Sequence, residues 1–151
     1  MLSTTWSAVI DRSTSMRSAS RVCSSTTFGQ LSPNGWGLRV VERYHQHVAD
    51  KVIAEANYGG DMVESVIRHN DPNVPFELAR ASRGKAVRAA PVHDLYEQHR
   101  VHHLGDLTEL EYEQTRWVPD ESDWSPNRLD ALVWAVTWLA DVGREPKIWF
   151  A

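Results

Sequence analysis

The sequence is poor in cysteine and has no long apolar run. Cys23 is the single cysteine among 151 residues, so an intrachain disulfide is excluded and a reducing compartment is indicated. No stretch approaches the roughly 18 apolar residues that a membrane span requires. The first residues also lack the basic start and apolar centre of a secretory signal. We therefore expect a soluble, cytoplasmic protein that does not bind a membrane.

An excess of basic residues is missing as well. Sixteen Lys and Arg against 20 Asp and Glu give a net charge of −4, which excludes a uniformly basic nucleic-acid-binding domain but permits a local basic groove. The nucleotide-binding sequence GxxxxGK[ST] is absent, because the fragment SRGKAVR at 82–88 lacks its spacing and its hydroxyl. An ATPase is therefore not supported.

What the chain does contain is the composition of one folded domain. Hydrophobic residues make up 42% of it and seven are Trp, which is typical of a globular protein with a sizeable core. We divide the chain into a residual edge strand at 1–12, a Ser/Thr-rich loop or disordered insert at 13–33, and the main domain at 34–151.

Hydrophobic periodicity predicts alternating helices and strands in the main domain. Ser32 and Pro33 are a good helix start, and Ser125 with Pro126 is another. The predicted elements are a strand at 6–10, helices at 33–49, 62–69, 84–98 (split or kinked at Pro91), 108–117 (with a threonine cap) and 126–140, and further strands at 52–55, 76–81 and 101–104. A helix, a buried strand and a helix in succession predict α/β layering.

Glu55 is the first candidate for chemistry. It follows the apolar residues 52–54 and precedes the sequence ANYGG, which predicts its carboxylate at the carboxyl end of a central strand, beside a glycine turn. Ligands of open α/β sheets bind at that edge, and glycines let a phosphate come close. The alternative is a strand-end acid that is solvated or paired with an arginine. Spacing alone leaves both open.

Asp130 is the second candidate. It lies in the first turns of the last predicted helix, between Leu129 and the apolar residues 131–133. The simpler explanation is the helix dipole, which favours an acid near a helix N-terminus by about 0.3–1 kcal/mol. A carboxylate flanked by core side chains, however, needs a cation or hydrogen-bond donors, because burying it unpaired is costly.

A cluster of basic residues stands out against the acidic total. Arg80, Arg83, Lys85 and Arg88, here called the basic run, place four positive charges within nine residues. Gly84 at the predicted helix start suits phosphate contacts. Such a cluster is equally typical of a solvated face.

Three segments, in this order, resemble the carboxyl-terminal nuclease domain of phage terminase large subunits, the motor proteins of viral DNA packaging. They are ADKVIAEANYGGDMVESVIR at 49–68, SRGKAVRAAPVHDLYEQHRVHHLGDLTELEYEQTRWVP at 82–119 and SPNRLDALVWAVTWL at 125–139. The resemblance covers about residues 36–140. It implies a ribonuclease H-like α/β fold, a mixed sheet flanked by helices, whose clustered carboxylates hold two divalent metals and cut concatemeric double-stranded DNA.

The resemblance also implies roles for the candidate residues. Glu55 matches the acid that ends the strand after the first helix, and Asp130 matches the acid in the last helix, so both are implied to be catalytic metal ligands. The implied cofactors are Mg²⁺ or Mn²⁺, hard ions that prefer oxygen ligands. Two such ions about 3.5–4 Å apart activate the attacking water and stabilise the leaving oxygen. The basic run would hold the DNA backbone without reading its sequence.

The family pattern contains features that this chain does not share. It places a further aspartate on a first strand upstream of a segment like SAVIDRS, and we expect that strand to be missing here. Asp11 is not expected to replace the missing ligand. We also expect the family's ATPase half to be missing here. With one acid fewer, we expect weak metal affinity and slow turnover.

The leading hypothesis is a metal-dependent endonuclease domain, encoded by a phage or prophage and acting in the host cytoplasm. Its expected partners are double-stranded DNA, a portal and a small terminase subunit. The alternative is a non-catalytic DNA-binding or packaging-assembly module that keeps the fold and the basic run. A third possibility is a decayed prophage remnant without function. Metal-stimulated cleavage that depends on Glu55 and Asp130 separates the first hypothesis from the others.

Overall fold

The computed structural model describes residues 7–11, 21–24, 31–55, 60–103 and 106–140. These residues form four strands and five helices. In chain order they are β1 Ser7–Asp11, β2 Arg21–Ser24, α1 Pro33–Gln46, β3 Lys51–Glu55, α2 Gly60–Asn70, β4 Phe76–Ala79, α3 Lys85–Glu97, α4 Thr108–Arg116 and α5 Asn127–Ala140. No helix among them has the length and apolar character needed to span a membrane.

The strands form one mixed sheet in the order β2-β1-β3-β4. Strand β1 is antiparallel to both of its neighbours, and β3 is parallel to β4 with Val52 opposite Phe76. Helices α1 and α2 contact one set of β3 side chains, and α5 contacts the other. The predicted α/β fold, a mixed sheet flanked by helices, is therefore confirmed.

The amino-terminal part of the sheet differs from the prediction. We expected β1 at an edge of the sheet, but β2 pairs with one side of it and β3 with the other. The difference arises because β2 lies in the Ser/Thr-rich segment that we interpreted as a loop or disordered insert. Residues 12–20 and 25–30 of that region lie outside the described residues.

Helix α1 begins as predicted. The Oγ of Ser32 accepts a hydrogen bond from the backbone N–H of Gly35 at 3.2 Å, and Pro33 opens the helix. The helix ends at Gln46, three residues earlier than predicted, because the chain turns at Val48, which has a φ of 49°. Its buried residues Val40 and Val41 join a core cluster with residues of α2, β3 and the connecting segments, and Phe76 of β4 packs against this cluster. The other buried members are Ala49, Val52, Ala54, Val63, Ile67 and Val74.

Helices α3, α4 and α5 share a second core, formed by Val92, Leu95, Leu110, Leu132, Val133 and Val136. Helix α3 runs through Pro91 as one element and is not split. Helix α4 starts at Thr108, but the predicted threonine cap is wrong. The carboxylate of Asp106 instead accepts hydrogen bonds from the N–H and the hydroxyl of Thr108, because an acid two residues ahead reaches these donors better than Thr108 reaches its own helix.

Residues 101–103 are not a strand, contrary to the prediction, and residue 104 lies outside the described residues. The His103 ring of this segment contacts both α3 and α4. Its Nε2 lies 2.8 Å from the Tyr96 hydroxyl on α3, and its Nδ1 lies 2.9 Å from a carboxylate oxygen of Glu111 on α4. These side-chain bonds connect the two helices through the segment, where we had predicted backbone pairing.

Candidate functional site

Strand β3 directs alternate side chains to the face of the sheet covered by α5. Because side chains alternate across a strand, Lys51, Ile53 and Glu55 share one face, and Val52 and Ala54 share the other. Lys51 lies over the ring of Trp138 at 4.8 Å, and Ile53 packs against Ala135. Glu55 continues this row to the carboxyl end of the strand, where its side chain is buried.

Asp130 lies in the first turn of α5, with its side chain 3% exposed. The apolar residues Ala131, Leu132 and Val133 that follow it are also buried. The Asp130 N–H bonds the carbonyl of Pro126 at 3.0 Å, so α5 starts one residue after the predicted proline. The helix dipole therefore favours the Asp130 charge, but burial still requires a partner for it.

The partner is Arg88 of α3, which bonds both candidate acids. Its Nη1 donates to Oε1 of Glu55 at 3.1 Å, and its Nη2 donates to Oδ1 of Asp130 at 2.5 Å. The two terminal nitrogens of a guanidinium belong to one rigid, planar fork, so the two acceptor oxygens lie close to the same small group. The structure thus brings together two acids that are distant in sequence.

Lys85 supplies a second positive charge. Its Nζ lies 3.6 Å from Oδ2 of Asp130 and donates a hydrogen bond to the Oγ of Ser125 at 2.6 Å. Lys85 lies one turn before Arg88 on α3, so the two cations reach Asp130 from the same helix face. Ser125, predicted as the cap of α5, instead accepts a bond from Lys85. We call Glu55, Lys85, Arg88 and Asp130 the acid–base cluster.

Trp134 forms an aromatic wall of this cluster. The guanidinium of Arg88 lies 4.7 Å from the centre of the indole ring, in cation–π contact. Trp134 is four residues after Asp130, so one face of α5 presents both side chains to Arg88. Within the described residues, three buried polar atoms at this position have no hydrogen-bond partner: Arg88 Nε, Asp130 Oδ2 and Trp134 Nε1.

Burial dominates the electrostatics of Glu55. Loss of solvent raises the pKa of its carboxyl above the ordinary value of 4.5, and the nearby charge of Asp130 raises it further. The positive charges of Arg88 and Lys85 and the Arg88 hydrogen bond oppose this and lower the pKa. Glu55 therefore holds a proton more readily than an exposed glutamate does. A metal cation that binds the Glu55 carboxylate would have to compete with that proton.

The basic run divides into two groups. Arg80 and Arg83 are exposed in the segment before α3, where they can meet an anionic backbone. We expected Arg88 to contact DNA, but its guanidinium does not face solvent. Its side chain is only 10% exposed and directed to the two acids, because two buried carboxylates without a cation would be strongly destabilising.

Asp11 lies far from the acid–base cluster along the sheet. Strand β1 runs antiparallel to β3, with Ser7 opposite Ala54 and Ile10 opposite Lys51. The Asp11 end of β1 is therefore beside the start of β3, whereas Glu55 is at the opposite end of that strand.

Glu113 of α4 is a supporting residue that the sequence analysis missed. Its buried carboxylate accepts a bond from the N–H of Leu129 at 3.0 Å and another from Arg128 at 3.2 Å. It satisfies a backbone donor in the first turn of α5, and so fixes the turn that carries Asp130. A buried glutamate within an acidic stretch gave no signal in the sequence, because the pairing depends on how α4 packs against α5.

The acid–base cluster meets part of the requirements of a divalent metal site. Two buried carboxylates at one strand end supply oxygen ligands, and Oδ2 of Asp130 has no hydrogen-bond donor among the described residues, so its lone pairs suit a hard cation. No group of three or more His, Cys, Asp or Glu that could hold a metal occurs within the described parts of the chain. The carboxylate oxygens present suit one divalent cation. They are fewer than the protein ligands that we expect for a site with two metal ions.

Comparison with known protein families gives a match over most of the chain. A family model described as a terminase RNaseH-like domain matches residues 23–138, a range that contains every member of the acid–base cluster. No curated protein and no solved structure matches the chain.

Proposed function

The chain belongs to the terminase RNaseH-like domain family, and from this premise we propose that it is the metal-dependent endonuclease domain of a viral DNA-packaging terminase. Its substrate would be concatemeric double-stranded DNA, cut with little sequence preference. A portal and a small terminase subunit would be its partners in packaging, and the gene would belong to a phage or prophage.

The observation that carries this proposal is the convergence of Glu55 and Asp130 on one guanidinium. The two acids are on different elements, β3 and α5, and are 75 positions apart in the numbering. Two buried acids cost stability in most folds. Their placement at the carboxyl end of a central strand, the edge where ligands of open α/β sheets bind, supports the proposal of a hydrolytic metal site.

Glu55 and Asp130 would hold Mg²⁺ or Mn²⁺ at this position. When bound, such ions supply an activated water and stabilise the leaving oxygen of the phosphodiester. Trp134 and the buried residues of α5 exclude bulk water from one side of the site, which strengthens the electrostatic interactions within it. Lys85 is partly exposed and lies 3.6 Å from Asp130, so it would contact the phosphate nearest the cluster.

Arg80 and Arg83 would bind the DNA backbone next to the site. Both are exposed and precede α3, so they extend the positive charge of Lys85 along the surface. Contacts of this kind position DNA without reading its sequence, consistent with a domain that cuts at many sequences.

The experiment is a nicking assay on supercoiled plasmid with Mn²⁺, using the full chain and the variants Glu55→Gln and Asp130→Asn. These variants keep the side-chain shapes and remove the metal-binding charge. We expect the unmodified chain to nick the plasmid and each variant to lose at least about 10–100-fold in rate, the loss that is typical even for residues that only support a metal ligand. Glu64→Gln, an exposed acid on α2, is the matched control and should keep full activity. Equal nicking by all four proteins would assign the activity to a contaminant.

A second candidate function is a non-catalytic DNA-binding module. The pairing of Arg88 with both acids favours it, because these charges are already balanced within the chain. This candidate predicts DNA binding that needs no metal and no nicking under any condition. Metal-stimulated nicking that the acid substitutions abolish excludes it.

A further inference from the structure

The acid–base cluster is electrically balanced without any added ion. Glu55 and Asp130 bring two negative charges when both are ionised, and Arg88 and Lys85 bring two positive charges. A divalent cation placed among these groups would leave two uncompensated positive charges in a largely buried position. Because unpaired buried charge is costly, a metal cannot simply be added to the cluster as it stands.

Arg88 has the most direct conflict with an added metal. Its guanidinium bonds one oxygen of each acid, and these carboxylates are the ligands that a metal would use. A cation that binds Oε1 of Glu55 and Oδ1 of Asp130 must displace the guanidinium from them. A cation bound at the second oxygens of the two acids would lie beside the positive charge of the guanidinium. The binding of a metal and the pairing of Arg88 with the acids are therefore mutually exclusive at these oxygens.

The arginine pairing is also incomplete. Oδ2 of Asp130 and Nε of Arg88 are buried without a hydrogen-bond partner among the described residues, although each side chain is at least nine-tenths buried. A bidentate arginine–carboxylate pair would use two parallel bonds, but here the guanidinium is divided between two acids. The pairing thus leaves one hydrogen-bond acceptor and one donor unused. A cation of higher charge than the Arg88 guanidinium can therefore displace it from the carboxylates.

We propose that Arg88 is an internal counterion that competes with the divalent metal for Glu55 and Asp130 and thereby sets the metal affinity of the site. This inference rests on the proposed metal-dependent function. Arg88 stabilises the two acids when no metal is bound, and a metal binds only after displacing its guanidinium. The displaced guanidinium stays beside the site on α3, where its donors suit a phosphate oxygen.

The test is a Mn²⁺ titration of the full chain, followed by the loss of the free-ion electron paramagnetic resonance signal. Arg88→Gln removes the competing charge and should tighten Mn²⁺ binding by roughly tenfold or more, a typical coupling between linked sites. Arg88→Lys keeps the positive charge but not the planar guanidinium that bonds both acids. Its Mn²⁺ affinity should lie between those of the unmodified chain and Arg88→Gln. Arg68→Gln removes an exposed arginine from α2 and should bind Mn²⁺ like the unmodified chain. Unchanged or weaker binding by Arg88→Gln overturns the inference.

Thermal unfolding with and without Mn²⁺ keeps the test decisive if Arg88→Gln is less stable. Without metal, the variant lacks one of the two positive charges that balance the acids, so it should melt at a lower temperature than the unmodified chain. Mn²⁺ should raise its melting temperature more than it raises that of the unmodified chain, because the ion replaces the lost positive charge. A loss of stability that Mn²⁺ does not recover indicates a merely structural arginine.

Failure of this inference is distinguishable from failure of the proposed function. If Arg88→Gln binds Mn²⁺ more tightly but no protein nicks plasmid, the counterion role holds and the nuclease proposal fails. If the unmodified chain nicks plasmid and Arg88→Gln has unchanged affinity, only the counterion role fails. If neither protein binds Mn²⁺, both proposals are overturned.

Discussion

Arg88 and Asp130 form the closest ion pair of the acid–base cluster, with Nη2 and Oδ1 2.5 Å apart across 42 positions of sequence. The pair joins α3 to α5 at the point where α5 begins. The same guanidinium bonds Glu55 of β3, so one side chain ties two helices to the central strand. The site and the packing of α3 on α5 therefore depend on each other.

The pH dependence of stability should reveal the burial of Glu55. Its pKa is raised above 4.5, chiefly by burial, so the folded chain keeps this proton at pH values where the unfolded chain has lost it. The contribution of Glu55 to the free energy of unfolding is therefore greatest below pH 4.5. It decreases as the pH rises through the raised pKa. The Glu55→Gln side chain resembles the protonated acid and does not ionise. The melting temperature of this variant relative to the unmodified chain should therefore increase from acidic to neutral pH.

Calorimetry or circular dichroism across that range measures the difference. Glu64→Gln, which removes an exposed acid paired with Arg68, should show no such increase. A constant difference for Glu55→Gln would contradict the raised pKa.

Gly37 is predicted to be essential for the contact between α1 and α2. A Cβ there would lie 2.4 Å from Cγ1 of Val66, far inside van der Waals contact. We expect Gly37→Ala to destabilise the fold by about 1–3 kcal/mol, as overpacking does, despite alanine's better helix propensity. A Cβ at Gly84 would meet no atom within 4 Å, so Gly84→Ala should cost about 1 kcal/mol at most, because alanine is a poorer N-cap of α3 than glycine. Urea denaturation measures both, and equal effects would refute the packing explanation.

Glu113 should contribute more to stability than its neighbour Glu109. Both bond Arg128, but Glu113 is buried and also accepts the Leu129 N–H, whereas Glu109 is exposed. Glu113→Ala should cost about 1–3 kcal/mol because it leaves buried donors unsatisfied. Glu109→Ala should cost less than about 1 kcal/mol. If urea denaturation gives the same loss for both, Glu113 does not anchor α5.

DNA binding in the absence of metal should depend on Arg80 and Arg83. Replacing both with Gln should weaken binding to duplexes of any sequence and reduce the slope of log K against log salt by up to about 2. Fluorescence anisotropy in the presence of a chelator measures the slope. The matched control replaces Arg39 and Arg68, exposed on the helices that cover the other face of the sheet. An equal decrease in both double variants would show only a general charge effect.

Much of the fold was predictable because local patterns determine it. Ser32 followed by Pro33 specifies the start of α1, and the apolar residues before Glu55 specify a buried strand that ends at this acid. Strand β2 was not predictable from its own residues. It is short, lies in a Ser/Thr-rich segment and is formed by pairing with β1, which no local pattern encodes.

The candidate site was predictable to a similar extent. The apolar residues around Asp130 indicated a buried acid that needs a partner, and the site supplies one. The identity of the partner was not predictable, since 16 lysines and arginines were available and only tertiary packing selects Arg88. For the same reason we grouped Arg88 with the exposed arginines of the basic run, from which the structure separates it.

The most direct test of the account is a crystal structure of the chain soaked with Mn²⁺, with the ion located by its anomalous scattering. We predict an anomalous peak bonded to carboxylate oxygens of Glu55 and Asp130, with the Arg88 guanidinium displaced from both. A map in which Arg88 still bridges the two acids at saturating Mn²⁺, with no peak beside them, would contradict the account.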